Sequence, residues 1–213
     1  IRKTTYLGVL SKSKKTEVEN YYKIKNVEII EPGVDTIKFN IPTEIKKSKI
    51  KNEKGVGTNE KVLLAVCRLE TEKNLENLIK AMSLLKDTNI KLYIAGDGSL
   101  KEKLNQLIID RKLTQKVILL GAKTDIEKYY KLADVFILPS KYEGFGHVYL
   151  EALACGLICI GSKSEPPACI TATEEIIRNE KIGYLMKFND CKDIAEKIEK
   201  AFKESKNNVN YRR

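Results

Sequence analysis

The chain has 213 residues, 42% of them hydrophobic, enough to build one large domain with extensions. No apolar run reaches the ~20 residues needed to span a bilayer, and Ile1-Arg-Lys-Thr-Thr5 carries no leader pattern, so neither an integral membrane protein nor a secreted scaffold is expected. The net charge of +10 invites an acidic partner (nucleic acid, anionic lipid or phosphates) or a solvated lysine-rich surface. Cys67, Cys155, Cys159, Cys169 and Cys191 are odd in number, form no Cys-x-x-Cys and sit mostly in apolar runs, which predicts buried free thiols in a reducing cytosol. The first residue is not Met, and a fragment of a longer protein is expected.

In chain order, Thr5-Tyr-Leu-Gly-Val-Leu10 reads as a strand. Thr16-x-x-Glu19 reads as a capping box for a helix through Tyr22, and Val27-Glu-Ile-Ile30 as a second strand. The segment 41–60, with Lys46, Lys47, Lys49, Lys51, Lys54, Gly55 and Gly57, reads as a lysine-rich surface connection. Glu44 and Glu53 flank that cluster and no aromatic residue interleaves it. Nucleic-acid binding is therefore not expected, and peripheral contact with a membrane stays open.

An alternation of strands and helices begins at Lys61. Strands are expected at Val62–Val66, Ile90–Ala95, Lys116–Leu120, Ala133–Leu138, Leu157–Ile160 and Ile182–Met186. Between them come a helix with Leu75, Leu78, Ile79, Met82 and Leu85 on one face, a helix capped by Ser99-x-x-Glu102, a helix capped by Thr124-x-x-Glu127 and a short helix from Glu174 to Arg178. Asp190-x-x-Asp193 opens the last helix, with Ile194, Ile198 and Phe202 inward, before a polar tail. Strands separated by helices imply a parallel sheet with right-handed crossovers. The expected fold is α/β, a Rossmann-like parallel sheet with helices on both faces. The domain expectation is an opening piece over 1–40, the connection over 41–60, the Rossmann-like domain over 61–205 and the tail over 206–213.

Ligands of such sheets sit beyond the carboxyl ends of the strands. Those ends carry Cys67-Arg68, Gly96, Gly121 to Lys123 and Pro139 to Gly146. The last group opens Glu143-Gly-Phe-Gly-His-Val-Tyr-Leu-Glu151, two carboxylates eight residues apart around a glycine turn and a helix start. A strand, a glycine loop and a helix N-terminus together favour an anion, because free N–H groups and the helix dipole point the same way. Phe145, Gly146 and His147 offer amides there, and the glycines permit close approach. His147 is the single histidine. No Asp-x-Asp and no His/Cys cluster with ligand spacing occurs, so no metal is expected.

The stretch 143–151 resembles the E-x7-E motif of retaining GT-B glycosyltransferases, glycosyltransferase family 4 (group 1). The resemblance covers about 27 to 201. Arg68 and Lys73 are similar to the family's Arg…Lys pair, Gly96-Asp-Gly98 to its turn after the second strand, and Glu31-Pro-Gly-Val-Asp35 to the segment that leads into the donor domain. The resemblance implies the C-terminal, donor-binding half of a GT-B enzyme. It would transfer a hexose with retention from a nucleotide sugar, such as a UDP- or GDP-hexose, to a glycan or lipid-linked acceptor. No cofactor is implied. Arg68, Lys73 and the amides of Gly144 to His147 would grip the diphosphate, Glu151 would hold the ribose, Lys123 would lie by the base, and Glu143 would face the transferred sugar as the catalytic carboxylate. The missing N-terminal domain would be a partner, and the setting would be cytoplasmic, at the inner membrane face where the acceptor is lipid-linked.

Three departures mark this chain. Cys67 stands where the family has Gly, Asn74 replaces the Gly after Lys73, as a cap or to tighten the loop, and Gly161 to Thr173 is longer than the usual Gly-Gly-x-Pro-Glu loop, with Glu175-Ile176 as a remaining match. A glycoside-hydrolase acid and base is disfavoured, since that chemistry needs both carboxylates at one scissile bond. The alternative to an enzyme is a nucleotide-sugar-binding or regulatory module without turnover.

Overall fold

The computed structural model describes residues 6–86 and 89–205. The chain opens with a parallel pair, β1 (Leu7–Val9) and β2 (Val27–Ile29), joined by α1 (Lys12–Tyr22). Helix α2 (Glu44–Glu53) leads into β3 (Lys61–Val66), α3 (Leu75–Met82), β4 (Ile90–Ala95), α4 (Lys101–Asp110), β5 (Val117–Gly121), α5 (Ile126–Leu132) and β6 (Val135–Leu138). The two-residue β7 (Tyr142–Glu143) precedes α6 (His147–Ala154) and β8 (Ile158–Ser162). The two-residue β9 (Ile170–Thr171), α7 (Thr173–Ile176), β10 (Gly183–Met186) and α8 (Cys191–Ser205) complete the described chain.

Six strands form one parallel sheet in the order β10-β8-β6-β3-β4-β5. Near-continuous apolar runs such as Val62-Leu-Leu-Ala65, all 0% exposed, are what a strand buried on both faces requires. The side chains alternate between two cores. Leu63 and Ala65 pack with residues of α3, α4 and α8, while Val62 and Leu64 pack with residues of α2, α5 and α6. The expected α/β sheet with helices on both faces is present. Strand order reverses between β3 and β6, and open sheets hold ligands at that crevice.

Several local readings change. Helix α1 starts at Lys12, four residues before the expected capping box, because Ser11 is extended and its hydroxyl oxygen accepts the Lys14 amide at 3.2 Å. The lysine-rich connection contains a helix, α2, capped by Thr43. Its lysines are only partly solvated: Lys47 and Lys51 are buried, Lys47 donates to Asp134 at 2.5 Å and to the Ala133 carbonyl at 2.8 Å, and Lys54 donates to Asp125 at 2.5 Å. Spacing of four places Lys47 and Lys51 on one face, where their aliphatic stems pack. Ser99 does not cap α4; it gives its amide and hydroxyl to Glu70 at 2.9 and 2.6 Å. Thr124 does not cap α5, whose N-cap position is Asp125, with its side chain making no capping bond. Thr5 and the polar tail lie outside the described residues.

Candidate functional site

The carboxyl ends of β3, β4, β5 and β6 open on one side of the sheet, and backbone contacts bring their loops together. Gly96 has φ +142°, and a Cβ there would stand 1.8 Å from the Cys67 carbonyl oxygen; one on Gly98 would stand 2.6 Å from that of Leu69. The Gly96-Asp-Gly98 turn thus lies flat on the Cys67–Leu69 segment. Asp97 and Gly98 fix it further: the Gly98 amide and Lys101 hold the Asp97 carboxyl below its usual value.

Between these loops and α6 lies a pocket of ≈380 Å³, lined by Cys67, Arg68, Gly96, Asp97, Lys123 and Glu151, with Val66, Ile126 and Val148 as apolar wall. Arg68 and Lys123, singled out in the sequence from two separate loops, meet Glu151 of α6 here. Arg68 is 74% exposed and its guanidinium lies 2.8 Å from Glu72, so the pair of a surface salt bridge is present as well. Beneath Glu151, burial and that carboxylate push the Tyr130 phenol well above its ordinary value. The Tyr130 hydroxyl itself makes no hydrogen bond, so charge proximity, not a formed bond, links it to Glu151. Burial pushes the Cys67 thiol up to about 12, which makes it an inert wall of the pocket.

Glu143 sits beside this pocket, on the short strand. Its carboxylate receives Lys73 Nζ at 2.8 Å, with side-chain exposures of 15% and 13%. Lys73 is delivered by the turn 71–73, and Asn74 follows in the left-handed region at φ 54°. Asn tolerates that region better than other non-glycine residues. Its side chain does not cap α3 but donates to the Phe188 carbonyl at 2.6 Å, which ties the lysine turn to the loop after β10. The long segment 161–173 places β9 beside β7, pairing Glu143 with Thr171, and the Ala172 amide donates to the Glu143 carbonyl at 3.1 Å. The departure from the family pattern therefore clamps the backbone of Glu143.

The glycine loop has two kinds of glycine. Gly146 has φ +87°, and a Cβ there would meet the Tyr149 ring at 2.7 Å, so the turn itself demands glycine. A Cβ on Gly144 would meet nothing within 4 Å. Gly146 precedes α6 without a side-chain cap; the Tyr149 amide turns back to the Gly146 carbonyl at 3.0 Å, and the His147 amide opens the helix ahead of it. His147 is exposed at that start, its ring centroid 5.9 Å from that of Phe145. A second pocket, ≈330 Å³, touches Glu143 and Gly144 from the side of α1 and the Pro166 segment. A larger one, ≈600 Å³, opens near Lys47 and Asp134, away from these loops. Sequence reasoning missed Ser11, Asp97 and Tyr130. Asp97 was legible in the Gly-Asp-Gly turn, whereas Ser11 carries only a cap signal.

Among the described residues no group of three His, Cys, Asp or Glu is arranged to hold a metal ion, and no helix is long and apolar enough to cross a membrane. All five cysteines are free, and Cys155, Cys159 and Cys169 are buried.

The chain is 36% identical over 180 residues to an uncharacterised glycosyltransferase of Methanocaldococcus jannaschii, covering 82% of this chain and 45% of that protein. It is 33% identical over 178 residues to an Escherichia coli UDP-Gal:alpha-D-GlcNAc-diphosphoundecaprenol alpha-1,3-galactosyltransferase, covering 81% and 44%. The chain thus spans less than half the length of either relative. Its fold matches GT-B glycosyltransferases, among them Anabaena HepE in complex with UDP and glucose, with TM-score 0.83 at 20% identity over 96% of this chain and 55% of that one. The family model described as glycosyl transferases group 1 matches residues 46–213, and the chain belongs to that family.

Proposed function

We propose that this chain is the donor-binding half of a retaining hexosyltransferase of glycosyltransferase family 4. Its donor is a nucleotide-diphosphate sugar and its acceptor a glycan or a lipid-linked saccharide. The observation that carries this reading is the meeting of Arg68, Lys123 and Glu151 in one pocket at the reversal of strand order, with the Lys73–Glu143 pair at its side. The UDP and glucose held by HepE, and the UDP-Gal donor and diphosphoundecaprenol-linked acceptor in the E. coli relative's name, support the same assignment.

In this reading the ribose hydroxyls donate to Glu151, whose two oxygens suit a vicinal diol. The base lies against Lys123 and Ile126. Arg68, Lys73 and the amides of Gly144 to His147 receive the diphosphate, supplying preorganised charge to the departing group. The bond from the sugar's anomeric carbon to the β-phosphate oxygen breaks, and the acceptor oxygen bonds to that carbon on the same face. The acceptor proton passes to the leaving phosphate, and Glu143 orients the sugar and offsets positive charge on the anomeric carbon. The acceptor site belongs to the other half of the complete protein, so this chain alone binds donor without transferring it. The setting is cytoplasmic, at the inner membrane face for a lipid-linked acceptor.

A thermal-shift screen of nucleotide sugars tests the proposal. A true donor at ~100 times its Kd stabilises the chain by ~2.7 kcal/mol. No shift with any UDP- or GDP-sugar would refute the proposal.

A further inference from the structure

Helix α1 is held against the glycine loop from two directions. Ser11, 1% exposed, donates its hydroxyl to the Gly144 carbonyl at 3.0 Å while its oxygen accepts the Lys14 amide. Glu175, in α7, accepts the Lys12 and Ser13 amides at 2.7 and 2.8 Å. Desolvation works to raise the Glu175 carboxyl, but the bonds from Ser13 and Lys12 outweigh it and hold the group below its ordinary value. A second tie comes from Lys14 Nζ, 2.7 Å from the Tyr142 hydroxyl.

These contacts close a circuit. Helix α7 follows β9 directly, β9 pairs with the strand that carries Glu143, and α1 reaches back to Gly144, the next residue. Ser11 alone would suffice to cap α1. Its hydroxyl proton is instead aimed at a residue 133 positions away, and a second acceptor for the helix start is supplied by Glu175, 163 positions from Lys12. The target matters because Gly144 has no side chain to wedge it and open space around it. The peptide that joins Gly144 to Phe145 is planar, so fixing its carbonyl also fixes the direction of the Phe145 N–H.

We propose that Ser11 and Glu175 are positioning residues that make α1 a strut for the Gly144–Phe145 peptide, and so for the Glu143 carboxylate beside it. The inference rests on Glu143 being the group that meets the transferred sugar. The strut touches neither Arg68 nor Glu151 and aims only one of the amides assigned to the diphosphate, so nucleotide affinity should fall little, whereas chemistry at the sugar should depend on it strongly.

The test has two arms. In the 213-residue chain, amide hydrogen exchange is followed across 142–146 and across β4 in Ser11→Ala and Glu175→Gln. Exchange across 142–146 should accelerate about 10-fold while β4 is unchanged, as for a local opening. In the complete protein, turnover of the nucleotide sugar that stabilises the chain is measured beside UDP affinity. Both variants should lower kcat by about 10-fold or more, since misplacement of about 1 Å can cost ~100-fold, and should leave KM and UDP affinity within about 3-fold. Unchanged exchange across 142–146, or an equal loss of kcat and UDP affinity, would overturn the inference. Glu143→Gln separates the two layers. If it abolishes turnover while both strut variants keep full kcat, the strut alone fails; if it leaves turnover intact, the reading of Glu143 fails and the strut's catalytic role falls with it.

Discussion

Lys73 Nζ stands 2.8 Å from Glu143 Oε2, and both side chains are largely shielded from solvent. The cation assigned to the diphosphate and the carboxylate assigned to the sugar are thus paired before any ligand arrives. The pair neutralises a shielded site that would otherwise hold an isolated charge. Under the proposed function an incoming diphosphate would compete with Glu143 for Lys73, and its arrival would leave the carboxylate able to turn toward the sugar.

Removing the charge of Glu143 should therefore help nucleotide binding. Glu143→Gln is expected to tighten UDP by up to about 5-fold, the size of a weak ion pair, while sugar transfer by the complete protein falls. Calorimetry reads the first effect and steady-state kinetics the second. Weakened UDP binding would mean that Glu143 holds the nucleotide and that its assigned role is wrong.

The two loop glycines should separate stability from binding. Gly146→Ala forces a left-handed residue against Tyr149 and is expected to cost ~1–3 kcal/mol of stability. Gly144→Ala meets nothing in the fold, so stability should change by less than ~0.5 kcal/mol. The methyl group would stand beside an amide that the proposed reading gives to the diphosphate, and UDP-sugar affinity should drop. Urea denaturation and titration of each variant make the comparison, and full binding by Gly144→Ala would place the donor elsewhere.

The sequence disclosed the layers and the loop order because apolar runs and helical stripes are local signals. β3 and β4 appear within a residue of their expected places, and Arg68, Lys123 and Glu151 converge because every strand end points to the same crevice. Contacts over long separations were not legible. Nothing near Lys47 indicates that Asp134 will receive it, and nothing near Ser11 indicates Gly144. Ser99 and Thr124 carried cap signals that lost to other geometry, since Ser99 found Glu70 on the neighbouring loop after β3. The lysine cluster misled for a related reason: long stems pack on apolar surface while their charged ends pair, so composition alone reads as solvated.

The same cluster supplies a stability prediction. Asp134 receives Lys47 at 2.5 Å and the Val62 amide at 2.8 Å, at the amino end of the sheet. Asp134→Ala takes the carboxylate from a buried Lys47 ammonium that keeps only neutral acceptors such as the Ala133 carbonyl, an expected loss of up to ~3 kcal/mol. Lys46→Ala, on the exposed side of the same helix, should change stability by less than ~0.5 kcal/mol. Similar melting curves for both variants would show that Lys47 reaches solvent.

Charge at the diphosphate is assigned to side chains and helix amides, not to a divalent ion. The complete protein is accordingly expected to keep most of its activity in EDTA. Complete loss, restored by Mn²⁺ or Mg²⁺, would require a different account of the leaving group.

Nucleoside-diphosphate titration of the chain and of Glu151→Ala tests the central claim, that the crevice between β3 and α6 holds the donor's nucleotide. If Glu151 accepts the ribose hydroxyls, the substitution removes charged hydrogen bonds worth ~1.5–3 kcal/mol. Calorimetry with UDP and GDP should then show roughly a 10- to 150-fold loss of affinity for the preferred nucleotide. Undiminished binding by Glu151→Ala would contradict the assignment and leave Glu151 as an ordinary residue of the first turns of α6.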